Sequence, residues 1–189
     1  MEEDKQMKKI LLGVTGSVAA KLTPKLVNLL EASDYEVRVV ATEQSLYFWD
    51  SKDVNIPIFR ETDEWSGFAY IKDQIIPHIA LCDWADVFLI APLTANTLAK
   101  MACGICDNLI TSVVRAWPLA KPLIVAPSMN TQMWKNPLTK KHLTNLSEYY
   151  QAIIIPPIEK KLACGEEGLG AMAELSDILN ILADIIDKK

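Results

Sequence analysis

The feature that most constrains this chain is a series of short, almost wholly apolar runs, four of them closed by a turn of small and hydroxyl residues. Lys8-Lys9-Ile10-Leu11-Leu12-Gly13-Val14 stops at Thr15-Gly16-Ser17, and Tyr35 to Ala41, Asp86 to Ala91, Leu123 to Ala126 and Ala152 to Ile155 are further runs of this kind. A strand that faces water on one side alternates apolar and polar residues, whereas a strand covered on both faces reads as a continuous apolar run. Behind the first run Val18, Leu22, Leu26, Leu29 and Leu30 recur at helical steps, with Ser17 as a candidate N-cap and Pro24 set to kink or restart the helix. Strand, turn, helix and strand in that order make a βαβ unit. Further helices are expected from Ile75 to Ala85, from Thr94, from Asp107 to Trp117 and from Ser176 to Asp187, while Thr42 to Gln74 reads as loops with short elements. The alternation predicts an α/β fold: a single-domain open parallel sheet with helices on both faces.

Composition narrows the function. In 189 residues a single buried core is the default. A net charge of −5 argues against a surface built to neutralise nucleic-acid phosphates. No apolar run is long enough to span a bilayer, and acidic Glu2, Glu3 and Asp4 invert the basic start of a signal peptide. Cys82, Cys103, Cys106 and Cys164 read as reduced thiols, so the chain is expected in the cytoplasm, with neither membrane nor nucleic acid as partner.

Open parallel sheets bind ligands beyond the C-terminal ends of their strands. Those ends are Gly13 to Val18, Ala41 to Ser45, Ala91 to Thr97 and Ala126 to Met133, all rich in small or hydroxyl residues. Such residues are ordinary in turns and caps, yet four such turns together suit a phosphate, which helix N-termini also favour. Gly13-Val14-Thr15-Gly16-Ser17 is not the dinucleotide pattern and no Walker lysine is present, so a mononucleotide is preferred to NAD or ATP.

Few residues are candidates for chemistry. His78 follows Pro77 at the head of an apolar helix, and His142 sits among polar residues as a solvated side chain. Neither has partners at metal-ligand spacing, and Cys103-Gly104-Ile105-Cys106 lacks the second pair a zinc site needs. Cys164 lies in the glycine-rich stretch 163–172, which reads as a mobile loop that no strand or helix would tolerate. Asn130, after a buried strand, is either a polar site residue or a turn residue.

Taken in order, Gly16-Ser17-Val18-Ala19-Ala20, His78-Ile79, Trp84-Ala85-Asp86, Ala91 to Lys100, Cys106-Asp107-Asn108-Leu109, Pro127 to Trp134, Ala163-Cys164-Gly165 and Gly168 to Glu174 closely resemble the flavin-containing cysteine decarboxylase family. The resemblance spans Lys8 to Glu174 and implies a Rossmann-like or flavodoxin-like subunit over residues 8–189 behind a short tail, 1–7. It further implies a homotrimer with FMN at a subunit interface, and decarboxylation of 4′-phosphopantothenoylcysteine to 4′-phosphopantetheine in coenzyme A biosynthesis. In the family's chemistry the cysteine side chain is oxidised to a thioaldehyde, which accepts the electrons left by carbon dioxide, and the resulting enethiolate is reduced again. By motif position His78 matches the essential histidine, Asn130 the asparagine that binds the substrate carboxylate, and Cys164 the cysteine that donates a proton in the final reduction. Met133, Lys161 and Ala163 fall at substrate-contacting positions, the last two on the closing flap. Gly16, Ser17, Val18, Thr42, Ser45, Thr94, Ala95, Asn96, Thr97 and Ser128 match flavin-contacting segments, with Ser17 and the Thr42 to Ser45 turn toward the phosphate.

Three positions depart from the family's usual pattern: Glu166 for aspartate after Gly165, Ser128 for alanine, and Ala80 for an acidic residue. None removes a catalytic group. Two other readings stand beside this one. Peptidyl-cysteine decarboxylases release the enethiol and lack the reducing cysteine, which Cys164 argues against. Fungal relatives that regulate a protein phosphatase carry long tails, and here about fifteen residues follow Glu174.

Overall fold

Neighbouring side chains of the first strand enter different cores: Ile10, Leu12 and Val14 pack on one face of the sheet, Leu11 on the other. This two-sided burial is what a continuous apolar run encodes. The computed structural model describes residues 7–65, 75–161 and 167–187. Its strands β1 (Lys9–Val14), β2 (Glu36–Ala41), β3 (Ile58–Phe59), β4 (Val87–Leu93), β5 (Leu123–Pro127) and β6 (Ile153–Ile154) form one parallel sheet in the order β3-β2-β1-β4-β5-β6. The helices are α1 (Thr23–Glu31), α2 (Glu61–Glu64), α3 (Pro77–Trp84), α4 (Ala95–Cys103), α5 (Leu109–Ala116), α6 (Thr131–Lys135), α7 (Pro137–Tyr150) and α8 (Leu175–Asp187). Leu26, Val27 and Leu30 of α1 and Ile178 and Leu182 of α8 fill one face. Leu81 of α3, Leu98 and Met101 of α4, Ile110 and Val113 of α5 and Leu146 of α7 fill the other. The chain grows outward from β1 to β3, then returns to place β4 on the opposite side of β1, which creates a topological switch point between β1 and β4.

Several boundaries differ from the sequence expectation for definable reasons. Pro24 restarts rather than kinks the first helix: a 3-10 turn over Val18–Leu22 precedes α1, whose first turn accepts the proline because no N–H is needed there. The helix expected from Ile75 likewise begins only at Pro77. The helix expected from Asp107 begins at Leu109, because Asn108 caps it by accepting the Thr111 N–H at 3.0 Å. His142 is half-buried on α7. Five strands were expected in the sheet, and β3 is the sixth, a two-residue edge paired with Val39 and Val40.

The largest correction concerns the glycine-rich stretch expected as a loop. Glu167–Ala171 is a strand, β8, paired antiparallel with β7 (Ile158–Lys161). Its glycines permit close docking rather than disorder. A Cβ on Gly168 would lie 2.4 Å from Thr131 Oγ1, and one on Gly170, at φ +150, would lie 2.3 Å from the Met129 carbonyl oxygen. The Met129 N–H donates to the Gly170 carbonyl at 2.9 Å, so the hairpin is fastened to the turn after β5.

Lys121 secures the other side of the molecule. Its ammonium donates to the carbonyls of Cys82 at 2.8 Å and Ala85 at 2.7 Å, satisfying backbone oxygens at the C-terminal end of α3. Cys82 itself is buried, and burial together with nearby Asp83 pushes its thiol up to about 11, so it serves as neutral core filling.

Candidate functional site

At the switch point the turns after β1, β2, β4 and β5 converge. Thr15, wholly buried, donates its hydroxyl to the Pro92 carbonyl at 2.8 Å and accepts the Thr94 N–H at 2.9 Å, tying the first turn to the third. Ser17 Oγ and Ser128 Oγ share a hydrogen bond of 2.9 Å that ties the first to the fourth. Ser17 also caps the 3-10 turn by accepting the Ala19 N–H, and Thr94 caps α4 by accepting the Thr97 N–H. These hydroxyls are therefore both turn residues and site residues.

They enclose a cavity of about 440 Å³, within the usual range for small-molecule sites. Gly16, Ser17, Thr42, Thr94, Ala95, Asn96, Thr97 and Ser128 lie on its wall, as does Met133. Two expected flavin contacts are not on the wall. Val18 points outward at 40% exposure, and Ser45 is buried beneath Thr42, spending its hydroxyl on the Thr42 carbonyl at 2.7 Å. Gln44, Lys100, Asn108 and Met129 line the cavity without having been singled out from sequence. Helical spacing would have found Lys100, one turn beyond Asn96 and Thr97 on α4. Its ammonium pairs with Asp107 at 2.6 Å.

His78, the second residue of α3, is not among the cavity-lining residues. Its side chain is 27% exposed, and Nδ1 lies 2.5 Å from Glu64 Oε1 on α2. Exposed apolar side chains accompany it: Trp65, Ile75, Ile76 and Ile79. Helix α2 bridges the two places, because Glu61 Oε2 accepts the N–H of Leu109, the residue after Asn108 on the cavity wall.

Asn130 caps α6 by accepting the Gln132 N–H at 2.8 Å, between Met129 and the α6 turn that carries Met133. Lys161 ends β7 opposite Glu167. Ala163 and Cys164 lie outside the described residues. Cys103 and Cys106 are exposed beyond the cavity at the end of α4, and among the described residues no group of three His, Cys, Asp or Glu is arranged to hold a metal ion.

A model of the flavoprotein family matches residues 1–187. The chain belongs to that family. This flavoprotein is 48% identical over 172 residues to phosphopantothenoylcysteine decarboxylase of Mus musculus, a match covering 90% of this chain and 83% of the mouse protein. It is 50% identical over 173 residues to phosphopantothenoylcysteine decarboxylase of Oryza sativa subsp. japonica, covering 90% and 77% of the two chains. Among solved structures it superposes with a TM-score of 0.91 on a phosphopantothenoylcysteine decarboxylase mutant complexed with pantothenoylaminoethenethiol, at 45% identity and with 96% and 100% of the chains covered. The FMN-binding protein AtHal3 gives a TM-score of 0.88, also at 45% identity, over 97% and 99% of the chains.

The cavity of this flavoprotein fits a flavin mononucleotide on its own chemistry. None of the described lining residues is acidic, and Lys100, three amide side chains and four helix-capping or turn hydroxyls can serve phosphate, ribityl and ring polar atoms. A Cβ on Gly16 would lie 2.6 Å from Gln44 Cβ, so the first and second turns approach as closely as they do because residue 16 has no side chain. The wall also depends on Thr15. Thr15→Val removes both of its side-chain hydrogen bonds and strands the Thr94 N–H, with an expected loss of about 1–3 kcal/mol. Urea unfolding checks this as a lower midpoint at unchanged slope.

Proposed function

We propose that this flavoprotein binds FMN in the switch-point cavity and decarboxylates 4′-phosphopantothenoylcysteine to 4′-phosphopantetheine, a step of coenzyme A biosynthesis. The observation that carries the reading is the junction at Met129: one cavity wall continues directly into Asn130, and the β7–β8 hairpin, whose strands flank Cys164 in sequence, is bonded to the same residue. The names of the relatives above point to the same substrate.

When bound, FMN supplies reversible two-electron chemistry at the thiol-bearing carbon, which a substrate whose nitrogen is already an amide cannot obtain from a Schiff base. Gly16, Ser17 and the Thr42 turn hold the phosphate, and Thr94 to Thr97 with Ser128 hold the rest of the group. Asn130 and Met133 position the substrate carboxylate and thiol end, and Lys161 and Ala163 are further substrate contacts in this reading. His78 accepts the thiol proton at its imidazole, and Cys164 returns a proton from Sγ when the enethiolate is reduced.

A homotrimer completes the site in this reading. His78 is separate from the cavity wall, and Ile75, Ile76 and Ile79 beside it in the chain and Trp65 beside its partner Glu64 are exposed, so a second copy docking there brings this histidine to its neighbour's cavity and covers the apolar side chains. The exposed thiols of Cys103 and Cys106 support a reducing, cytoplasmic setting.

The test is direct. Purified protein shows bound-flavin absorbance, and incubation with 4′-phosphopantothenoylcysteine yields 4′-phosphopantetheine and carbon dioxide by mass spectrometry. Cys164→Ser still releases carbon dioxide but accumulates the unreduced enethiol. Normal 4′-phosphopantetheine formation by that variant removes Cys164 from the mechanism, and a folded protein without flavin affinity removes the reading itself.

A further inference from the structure

We infer that Glu64 is the positioning residue of His78, holding the ring through Nδ1 so that Nε2 carries the lone pair. This rests on the reading of His78 as the reacting histidine. The two groups lie 14 residues apart in sequence and 2.5 Å apart in space. An ionised carboxylate only accepts, so at this contact the imidazole donates from Nδ1. A neutral imidazole with its proton on Nδ1 has its basic nitrogen at Nε2, and the carboxylate also stabilises the ring once it gains a second proton.

The surroundings show that this contact is built rather than incidental. The Glu64 side chain is only 9% exposed, and its Oε2 is buried with no hydrogen-bond partner among the described residues. Burying a carboxylate whose one partner among the described residues is an imidazole is a costly way to join two helices, and an apolar pair would do that better. Helix α2 is a single turn and too short to stand by itself. Its turn is closed from within by the Arg60 N–H donating to Asp63 Oδ2 at 2.7 Å, and it is tied to the start of α5 through Glu61 Oε2, which receives the Leu109 N–H at 3.2 Å. Helix α3 is fixed through Lys121 and packs on α5, the helix that Leu109 begins. Both partners of the pair are thus tied to one body, and the ring's orientation follows.

The chain has two histidines, so ring-nitrogen NMR of the FMN-loaded protein resolves them, with His142→Gln assigning the second. An unconstrained neutral imidazole favours the proton on Nε2, and His78 is expected to show the opposite pattern, with Nδ1 protonated. Glu64→Leu is expected to return His78 to the Nε2–H pattern and to lower kcat by about 10- to 100-fold, the scale on which partners that orient histidine rings act, with KM little changed. Glu64→Gln, which keeps an acceptor oxygen, is expected to retain the Nδ1–H pattern and recover part of kcat. Nε2–H in the wild-type protein overturns the inference even where the leucine variant fails to fold, and so does a Glu64→Leu protein with unchanged tautomer and kcat. An active His78→Asn protein instead overturns the assignment of the histidine; an inactive one beside a fully active Glu64→Leu removes Glu64 alone.

Discussion

His78→Asn is expected to abolish turnover while the protein stays yellow. The imidazole forms no part of the cavity wall of its own chain, so its removal leaves the turns and caps that line that wall unchanged. Asparagine fits the second position of α3, where the helix interior has not yet begun and a Pro77 start already fixes the backbone. The loss is therefore chemical: a positioned acid or base contributes about 10²- to 10⁴-fold to rate, and an amide has no titrating nitrogen to replace it. Flavin absorbance after desalting and product formation by mass spectrometry measure the two halves separately. A colourless folded variant would give the histidine a place in cofactor binding, and an active one would reduce it to a helix-packing residue.

How much of this was legible in advance depended on whether a feature is local in sequence. The runs that became β1, β4 and β5 were readable because both faces of each are covered, which leaves them almost wholly apolar, and β2, though interrupted by Glu36 and Arg38, was readable from its valines. Their C-terminal turns located the cavity for the same reason. Ile58–Phe59 carries no such signal, because two residues become a strand only when Val39 and Val40 are already beside them. Strand β8 was hidden by its glycines, whose purpose is visible only once Thr131 and the Met129 carbonyl are seen against them. Gln44 and Asn108 reach the cavity from turns whose shape is set by tertiary contacts, and Glu64 meets His78 across a stretch with no periodic pattern. Val18 and Ser45 show the converse, since a motif position fixes the segment and the local backbone decides which side chain lies on the cavity wall.

Gly16→Val is expected to give a folded, colourless and inactive protein. Its Cβ would lie 2.6 Å from Gln44 Cβ and 3.3 Å from the Gln44 backbone carbon, so the turn after β1 must move away from the turn after β2. That displacement opens the corner where the phosphate is proposed to sit and misaligns the N–H groups of the 3-10 turn that begins at Val18. The buried strands lie on the far side of Thr15, whose bonds to Pro92 and Thr94 are untouched, so the melting temperature of the variant should approach that of flavin-free wild type. Flavin content and thermal unfolding check this. The same variant also tests where His78 acts. Gly16→Val chains retain His78 and lack a working cavity, whereas His78→Asn chains retain the cavity and lack the histidine. If the site is shared between subunits, refolding the two inactive proteins together forms trimers in which some intact cavities meet an intact histidine, and a fraction of wild-type turnover returns. If His78 serves the cavity of its own chain, no mixture of the two recovers activity, because each site then carries one of the two defects whichever neighbour it has.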